Sequence, residues 1–237
     1  MDRLKNVREL IKQEFDNATD VGMTVEAAGL YRALCIIDEE LEETDEIATI
    51  CWLEEELNSF EDVKYKKLAL ELLEGSPEYF WEAPASSSGK HHPSYTVTPS
   101  GLVKHVKAAT QILNHILSLD YTQIIPQDIR DCMRVAILIH DCEKMKDKKS
   151  GTNFEHPLSV ADRVLSYRGV FSDIPDELIE VIADLCASHM GQWNTSTHNV
   201  TTLPLPDSFE AYLVHLADYL ASRKNVEIKF LMTKGEV

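Results

Sequence analysis

The chain lacks any apolar run long enough to cross a bilayer, and its first residues, MDRLKNVREL, are polar and charged where a secretory leader is hydrophobic. The expectation is a cytoplasmic protein with neither a span nor a leader. Cysteine is sparse: Cys35, Cys51, Cys132, Cys142 and Cys186 are odd in number, scattered, and mostly inside apolar helical patterns. That usage fits reduced core thiols and excludes a disulfide framework or a CxxC metal knuckle. Basic residues are short, 23 Lys and Arg against 40 Asp and Glu, which leaves a formal charge of −17. Such a surface repels nucleic acid and anionic membranes at long range, so a phosphate-bearing substrate has to be drawn by a local site. Strand-like alternation is hardly seen, while most segments space their apolar residues at three and four. An all-α fold follows as the expectation, and 237 residues that are 44% hydrophobic can bury one large domain or a core with an appendage.

Acidic helices fill the first third: residues 2–15, a helix opened by Thr24 as its cap, residues 45–57, and residues 63–73, with Gly75-Ser76-Pro77 closing the series. The organisation expected is a helical region over 1–80, a principal domain over 81–225 and a tail over 226–237. Residues 83–100, APASSSGKHHPSYTVTPS, form the least helical stretch and read as a linker or as a functional loop. Composition favours the linker, and Lys90, His91 and His92 count against it, because a plain linker has no use for them. Five helices are expected beyond it. Ser100 caps one that runs to about residue 119, and the next ends in VAILIHDCEK. A third starts near Glu155, a fourth follows Pro175 to residues 190–191, and the last covers about residues 207–224.

The helical spacing turns particular histidines and aspartates inward. Leu102, His105, Val106, Ala109, Leu113 and Ile116 share a face; so do Ile137, His140, Asp141 and Lys144; so do Leu178, Val181, Ile182, Leu185, Cys186 and His189. In the last helix Ala211, Val214, Asp218 and Ala221 make one apolar face, and Phe209, Tyr212, Leu213, Leu216 and Leu220 a second, so Asp218 is expected in a helix buried on two sides. Two inward carboxylates and three inward imidazoles need partners, since burying a charge unpaired costs several kcal/mol. A shared divalent cation satisfies them together, and imidazole nitrogen with carboxylate oxygen suits Mn, Fe, Co, Ni or Zn, whereas oxygen ligands alone favour Mg or Ca. His115 lies off the apolar stripe and His198 in a polar loop, so neither receives a role. His215, three residues before Asp218, reads as a partner of that carboxylate or as a packed ring. Gln192 and Trp193 follow His189 at a helix end, where the indole either stacks on a base or covers the core.

The set His105 in GLVKHVKAA, His140-Asp141 in ILIHDCEK and Asp218 in HLADYLASR resembles the HD-domain superfamily of metal-dependent phosphohydrolases. The resemblance spans about residues 80–224 and implies a helical bundle with metal at its centre. His156 in FEHPLSVAD and His189 in SHMGQW look like the histidines that two-metal members add. By the same resemblance Asp141 bridges two ions, of Mn, Fe, Co, Ni, Zn or Mg, with His105, His140 and Asp218 on one and His156 and His189 on the other. Lys144 stands where HDxxK members place a lysine near the substrate, and it is expected to bind phosphate. The stretch APASSSGKHHP ahead of GLVKH is similar to the loop preceding the first ligand in HD-type 3′-to-5′ exoribonucleases, although those usually carry a further glycine where this chain has Ser100.

Asp141 and Lys144 are therefore the expected catalytic residues, with Lys144, Lys90 and His92 on the substrate. The expected reaction is cleavage of a phosphoester in a nucleotide or cyclic nucleotide by metal-activated hydroxide. Lys146, Lys148 and Lys149 either funnel anions toward the site or complement a helix C-terminus. Two other readings stand beside this one: an exonuclease acting on single-stranded ends, which the acidic charge disfavours, and a non-catalytic module stabilised by metal.

Overall fold

A computed structural model describes residues 6–14, 50–86, 89, 91–145 and 152–226, and the expected cap at Thr24 lies outside them. The regular structure of the described residues is helical, and their β-type pairing is limited to the bridges Met145 with Thr152 and Ser196 with Asn199. The all-α expectation holds. None of the described helices is long and apolar enough to cross a membrane. Cys132, Cys142 and Cys186 are free and buried.

The chain divides into two compact units. Met1–Asn58 with Leu231–Val237 form one, which contains helical residues 6–14 and the short helix Glu54–Leu57; Ser59–Phe230 form the other. The second unit carries seven described α-helices: α1 (Val63–Glu74), α2 (Glu78–Glu82), α3 (Gly101–Leu117), α4 (Gln127–Ile139), α5 (His156–Leu165), α6 (Asp176–Ser188) and α7 (Phe209–Ala221). Their starts are written locally. Asp62 accepts the Lys64 N–H ahead of α1, and Ser208 accepts the Ala211 N–H ahead of α7. Pro126 and Pro175 hold extended backbone one residue before α4 and α6, so Pro175 precedes the first turn and does not sit within it. A buried carboxylate, Asp131, accepts the backbone N–H groups of Glu61 and Asp62 and pairs with Arg134 at 2.7 Å, which locks α4 to the entry of α1.

Helix α3 is the centre of the unit and packs on α7, α4, α2 and the 3-10 turn Ser94–Val97. Its residues 101–110 are buried on every side, Lys104 and Lys107 included, so the single inward face expected for it understates its burial. Around it, α6 packs on α5 and α4, and α7 on α3, α6 and α4. On α7, Ala211, Val214, Ala217 and Ala221 are buried, but Phe209, Tyr212 and Leu216 are exposed. The second buried face expected for α7 is thereby corrected: spacing reports that a stripe is apolar, not that another element covers it.

The described residues of 83–100 do not hang free. Ala85 N–H donates to the Thr96 carbonyl, Ser100 N–H to the Glu82 carbonyl and Leu102 N–H to the Ala83 carbonyl, so the segment closes on itself and on the start of α3. Closure is tight: a Cβ on Gly101 would lie 2.1 Å from the Thr96 oxygen. Ser100 is driven into the left-handed region at φ 58°, and its hydroxyl makes no capping bond, which corrects the expectation that it caps α3. A glycine at this position would meet the backbone requirement without strain.

Ser100→Gly should raise thermal stability by about 1 kcal/mol by relieving left-handed strain. Gly101→Ala should lower it by about 2 kcal/mol or more, because the new methyl meets backbone that has no rotamer to change. Melting curves of both variants check the pair, and equal small effects would mean that this turn is not the constraint.

Candidate metal centre

Five helices deliver the inward histidines and aspartates to one place. His105 lies within α3 and Asp218 within α7, His156 opens α5, and His140 and His189 are the C-caps of α4 and α6. The His-Asp pair is thus not inside a helix, as its apolar spacing suggested. Helix α4 stops at Ile139, and the chain tightens into a turn in which Cys142 N–H bonds the Ile139 carbonyl and Lys144 N–H the Asp141 carbonyl. Tyr79 on α2 holds that turn: its buried hydroxyl donates to the Cys142 carbonyl at 3.0 Å and accepts the Met145 N–H at 3.3 Å.

His105, His140, Asp141, His156 and His189 are each 2% exposed or less. His156 is therefore interior. The Nδ1 atoms of His140, His156 and His189 each lie 2.7 Å from the carbonyl oxygen three residues earlier, those of Ile137, Asn153 and Cys186. A carbonyl only accepts, so each Nδ1 carries a proton, and in the neutral ring each Nε2 presents a lone pair to the centre. His156 Nε2 and His189 Nε2 then face one another at 3.2 Å, and His140 Nε2 is buried without a hydrogen-bond partner. Facing lone pairs and a buried acceptor with no donor are unfavourable unless a proton or a metal ion lies among them.

The two oxygens of Asp141 serve different neighbours. Oδ1 lies 3.1 Å from His156 Nε2 and 3.8 Å from His189 Nε2. Oδ2 lies 3.6 Å from His105 Nε2, 3.5 Å from His140 Nε2 and 2.6 Å from Lys144 Nζ. Asp218 Oδ1 closes the second group at 2.9 Å from His105 Nε2 and 3.6 Å from His140 Nε2. Donor atoms about a divalent ion with bonds near 2.1 Å sit roughly 3.0–3.4 Å apart, so these separations are close to the edges of a coordination shell. Three overlapping sets can hold a metal ion: His105, His140 and Asp141; His140, His189 and Asp218; Asp141, His156 and His189.

Charge follows the same geometry. Burial alone would raise the Asp141 carboxyl, but Lys144, His140 and His156 hold it well below the usual carboxylate range, and His105 and His140 do the same for Asp218. Burial, aided by His140 and His156, pushes His189 down to about 3, so it is a neutral ligand at any ordinary pH. Burial opposes charge on His140 as well, yet Asp141 and Asp218 outweigh it and raise this histidine.

His92 reaches the centre from the loop, its ring 6.0 Å from that of His105, its Nδ1 buried and without a partner. Burial, with His105 and Lys144 nearby, lowers it to about 4. The loop is anchored by Lys224 N–H donating to the His91 carbonyl. Lys90, Lys146, Lys148 and Lys149 lie outside the described residues. His215 gives its Nδ1 proton to the His189 carbonyl at 2.7 Å, so it supports a histidine of the cluster through backbone. His115 is exposed and bonds a carbonyl of its own helix, and His198 is exposed in its loop. Tyr79 escaped the sequence reading, for nothing in YFWEAP marks one aromatic as the clamp of a turn more than 60 residues away.

No family model matches the chain, and neither a curated protein nor a solved structure matches it. The metal-binding capacity therefore rests on the donor geometry itself.

The purified chain should bind divalent metal, and Asp141→Ala should lose it, because Asp141 belongs to two of the three donor sets. Elemental analysis decides this, and metal retained at the wild-type ratio would remove Asp141 from the centre. His115→Ala, on an exposed ring, should leave metal content unchanged.

Proposed function

We propose that this chain is a metal-dependent phosphohydrolase of the HD type that cleaves a phosphoester of a nucleotide or cyclic nucleotide. The observation that carries the reading is the division of Asp141, one oxygen toward His156 and His189 and the other toward His105, His140 and Lys144. A carboxylate so divided suits two ions, with His105, His140 and Asp218 on one and His156 and His189 on the other. Mn, Fe, Co, Ni, Zn and Mg are the candidates, and the nitrogen-rich donor set favours those before Mg. Bound divalent cations supply Lewis acidity at phosphoryl oxygens and lower the pKa of water.

The chain's own residues supply orientation and charge. The side chains of Asp218 and Lys144 are 18% and 17% exposed, against 2% or less for the rest of the cluster, so solvent reaches the centre beside these two. A phosphoryl group entering there meets the Lys144 ammonium first. That ammonium already sits on Asp141 Oδ2, within reach of any anion next to the carboxylate. His92, held neutral, adds a hydrogen-bonding nitrogen at the rim without repelling cations. The −17 charge supports a small substrate over a polymer, since each added phosphate is repelled by the surrounding surface.

The metal-loaded protein, assayed against nucleotides, cyclic dinucleotides and short oligonucleotides, should hydrolyse a member of the first two groups; no turnover of any would defeat the proposal. Lys144→Ala should keep its metal and lose about 2 kcal/mol or more of transition-state stabilisation in kcat/KM. Lys144→Arg should restore only part, since a planar guanidinium is poorly matched to a point contact. Normal turnover in the alanine variant, with only a slightly lower Tm, would place Lys144 outside the active site.

A further inference from the structure

Linked to the centre through His215, which bonds the His189 carbonyl, stands an aromatic group that the mechanism above does not use. Trp193 and Tyr219 are stacked, ring centroids 5.5 Å apart and planes 18° from parallel, and the Arg223 guanidinium carbon lies 4.5 Å above Tyr219 and 5.8 Å from the Trp193 ring. His215 closes the group at 6.0 Å from Trp193 and 6.4 Å from Tyr219.

This assembly is tied to the metal donors on both sides. Trp193 follows His189 through the left-handed Gly191, where a Cβ would lie 2.3 Å from the His215 ring, and His215 in turn bonds the His189 carbonyl. Tyr219 adjoins Asp218 in sequence. At about 100° per residue, His215 and Tyr219 lie on the flank of α7 beside Asp218 that leads away from its buried alanines, and Arg223 follows just past the end of the helix.

Two features distinguish this from core packing. Trp193 is 41% exposed although its neighbours brace it, which leaves indole surface available. Among the described residues the Arg223 side chain hydrogen-bonds only the Ser222 hydroxyl, at 3.2 and 2.8 Å, and has no ion pair. A braced, partly bare indole with a stacked and unpaired guanidinium is the chemistry that receives a flat, polar, π-rich ring.

We propose that Trp193, backed by Tyr219 and with Arg223 at its edge, binds the nucleobase of the substrate while the phosphate lies at Lys144. The inference rests on the phosphohydrolase reading for the phosphate end, and it assigns the substrate's other end to an aromatic base. The indole supplies a stacking face, and the guanidinium N–H groups meet the ring nitrogens or carbonyls on the base edge.

The test uses the full-length chain loaded with Mn, with adenosine 5′-monophosphate and ribose 5-phosphate as probes, binding measured by calorimetry and turnover by phosphate release. Wild type should prefer the nucleotide by about tenfold or more, the scale of one base stack. Trp193→Leu, which keeps an apolar cover, should reduce that preference by about tenfold at unchanged metal content, and Trp193→Phe should recover most of it. A preference untouched by Trp193→Leu, or an equal loss on both probes, overturns the platform. Nucleotide binding that depends on Trp193 without turnover removes the hydrolytic reading and leaves the platform standing. Turnover of both probes with no preference does the reverse, and binding of neither overturns both.

Discussion

Everything in the centre depends on one buried carboxylate. Asp141 is 2% exposed, and left alone at that depth it would take up a proton rather than stay charged. Instead it faces four imidazole nitrogens and one ammonium within 3.8 Å, contributed by four different segments of the chain. The bundle around it is arranged to bring those partners in. The buried first half of α3 carries His105 to the middle, and the packing of α5 against α6 brings His156 and His189 toward the same oxygen. A shared cation resolves what the protein atoms alone leave unresolved, namely two facing lone pairs and a buried nitrogen without a donor.

The orientation of these ligands is accomplished by the backbone at helix ends. A helix leaves its last carbonyls without intrahelical partners. At the ends of α4 and α6 the imidazoles of His140 and His189 take the Ile137 and Cys186 carbonyls, and His156 does likewise with Asn153 just ahead of α5. One hydrogen bond thereby satisfies an acceptor, fixes the tautomer and aims Nε2 inward. Ligands held in this way have little freedom to retreat, which is the preorganisation a metal site gains from its outer partners. Tyr79 extends the arrangement by clamping the turn that bears Asp141 and Lys144.

Much of this was legible in the residues. Helical spacing turned His105, His140, Asp141, His189 and Asp218 inward, and all are in the centre; His156, taken from the resemblance, is there too. The failures share a cause. Apolar periodicity continued through His140 and Asp141, so it could not show that α4 ends at Ile139, where bonds to Tyr79 and the turn replace the helical ladder. The stripe Phe209, Tyr212 and Leu216 looked buried because periodicity records hydrophobicity and not the presence of a covering element. Ser100 looked like a cap because serine prefers that role, whereas the close approach of Gly101 to Thr96 dictates a left-handed turn. Backbone acceptors, such as the carbonyl of His189 that takes up His215, leave no mark in a sequence at all.

A chain of net charge −17 that acted on a phosphate ester, as we propose, would have to draw it by the cations nearest the site. At physiological ionic strength surface charges act over only about 8 Å, so the distant carboxylates govern approach and the nearest groups govern binding. Lys144 sits within the cluster, where low dielectric strengthens its field, and Arg223 lies over Tyr219 without an acidic partner among the described residues. Divalent charge among His105, His140, His156, His189, Asp141 and Asp218 would add to both. Long-range repulsion then acts on the number of charges a ligand carries, while short-range attraction acts on one phosphate. A small ester gains from the second and suffers little from the first, whereas a polymer brings many phosphates into the repelling field for each one that reaches the site. On the proposed function, the acidic surface and a metal-loaded pocket would together favour a small substrate over a polymer.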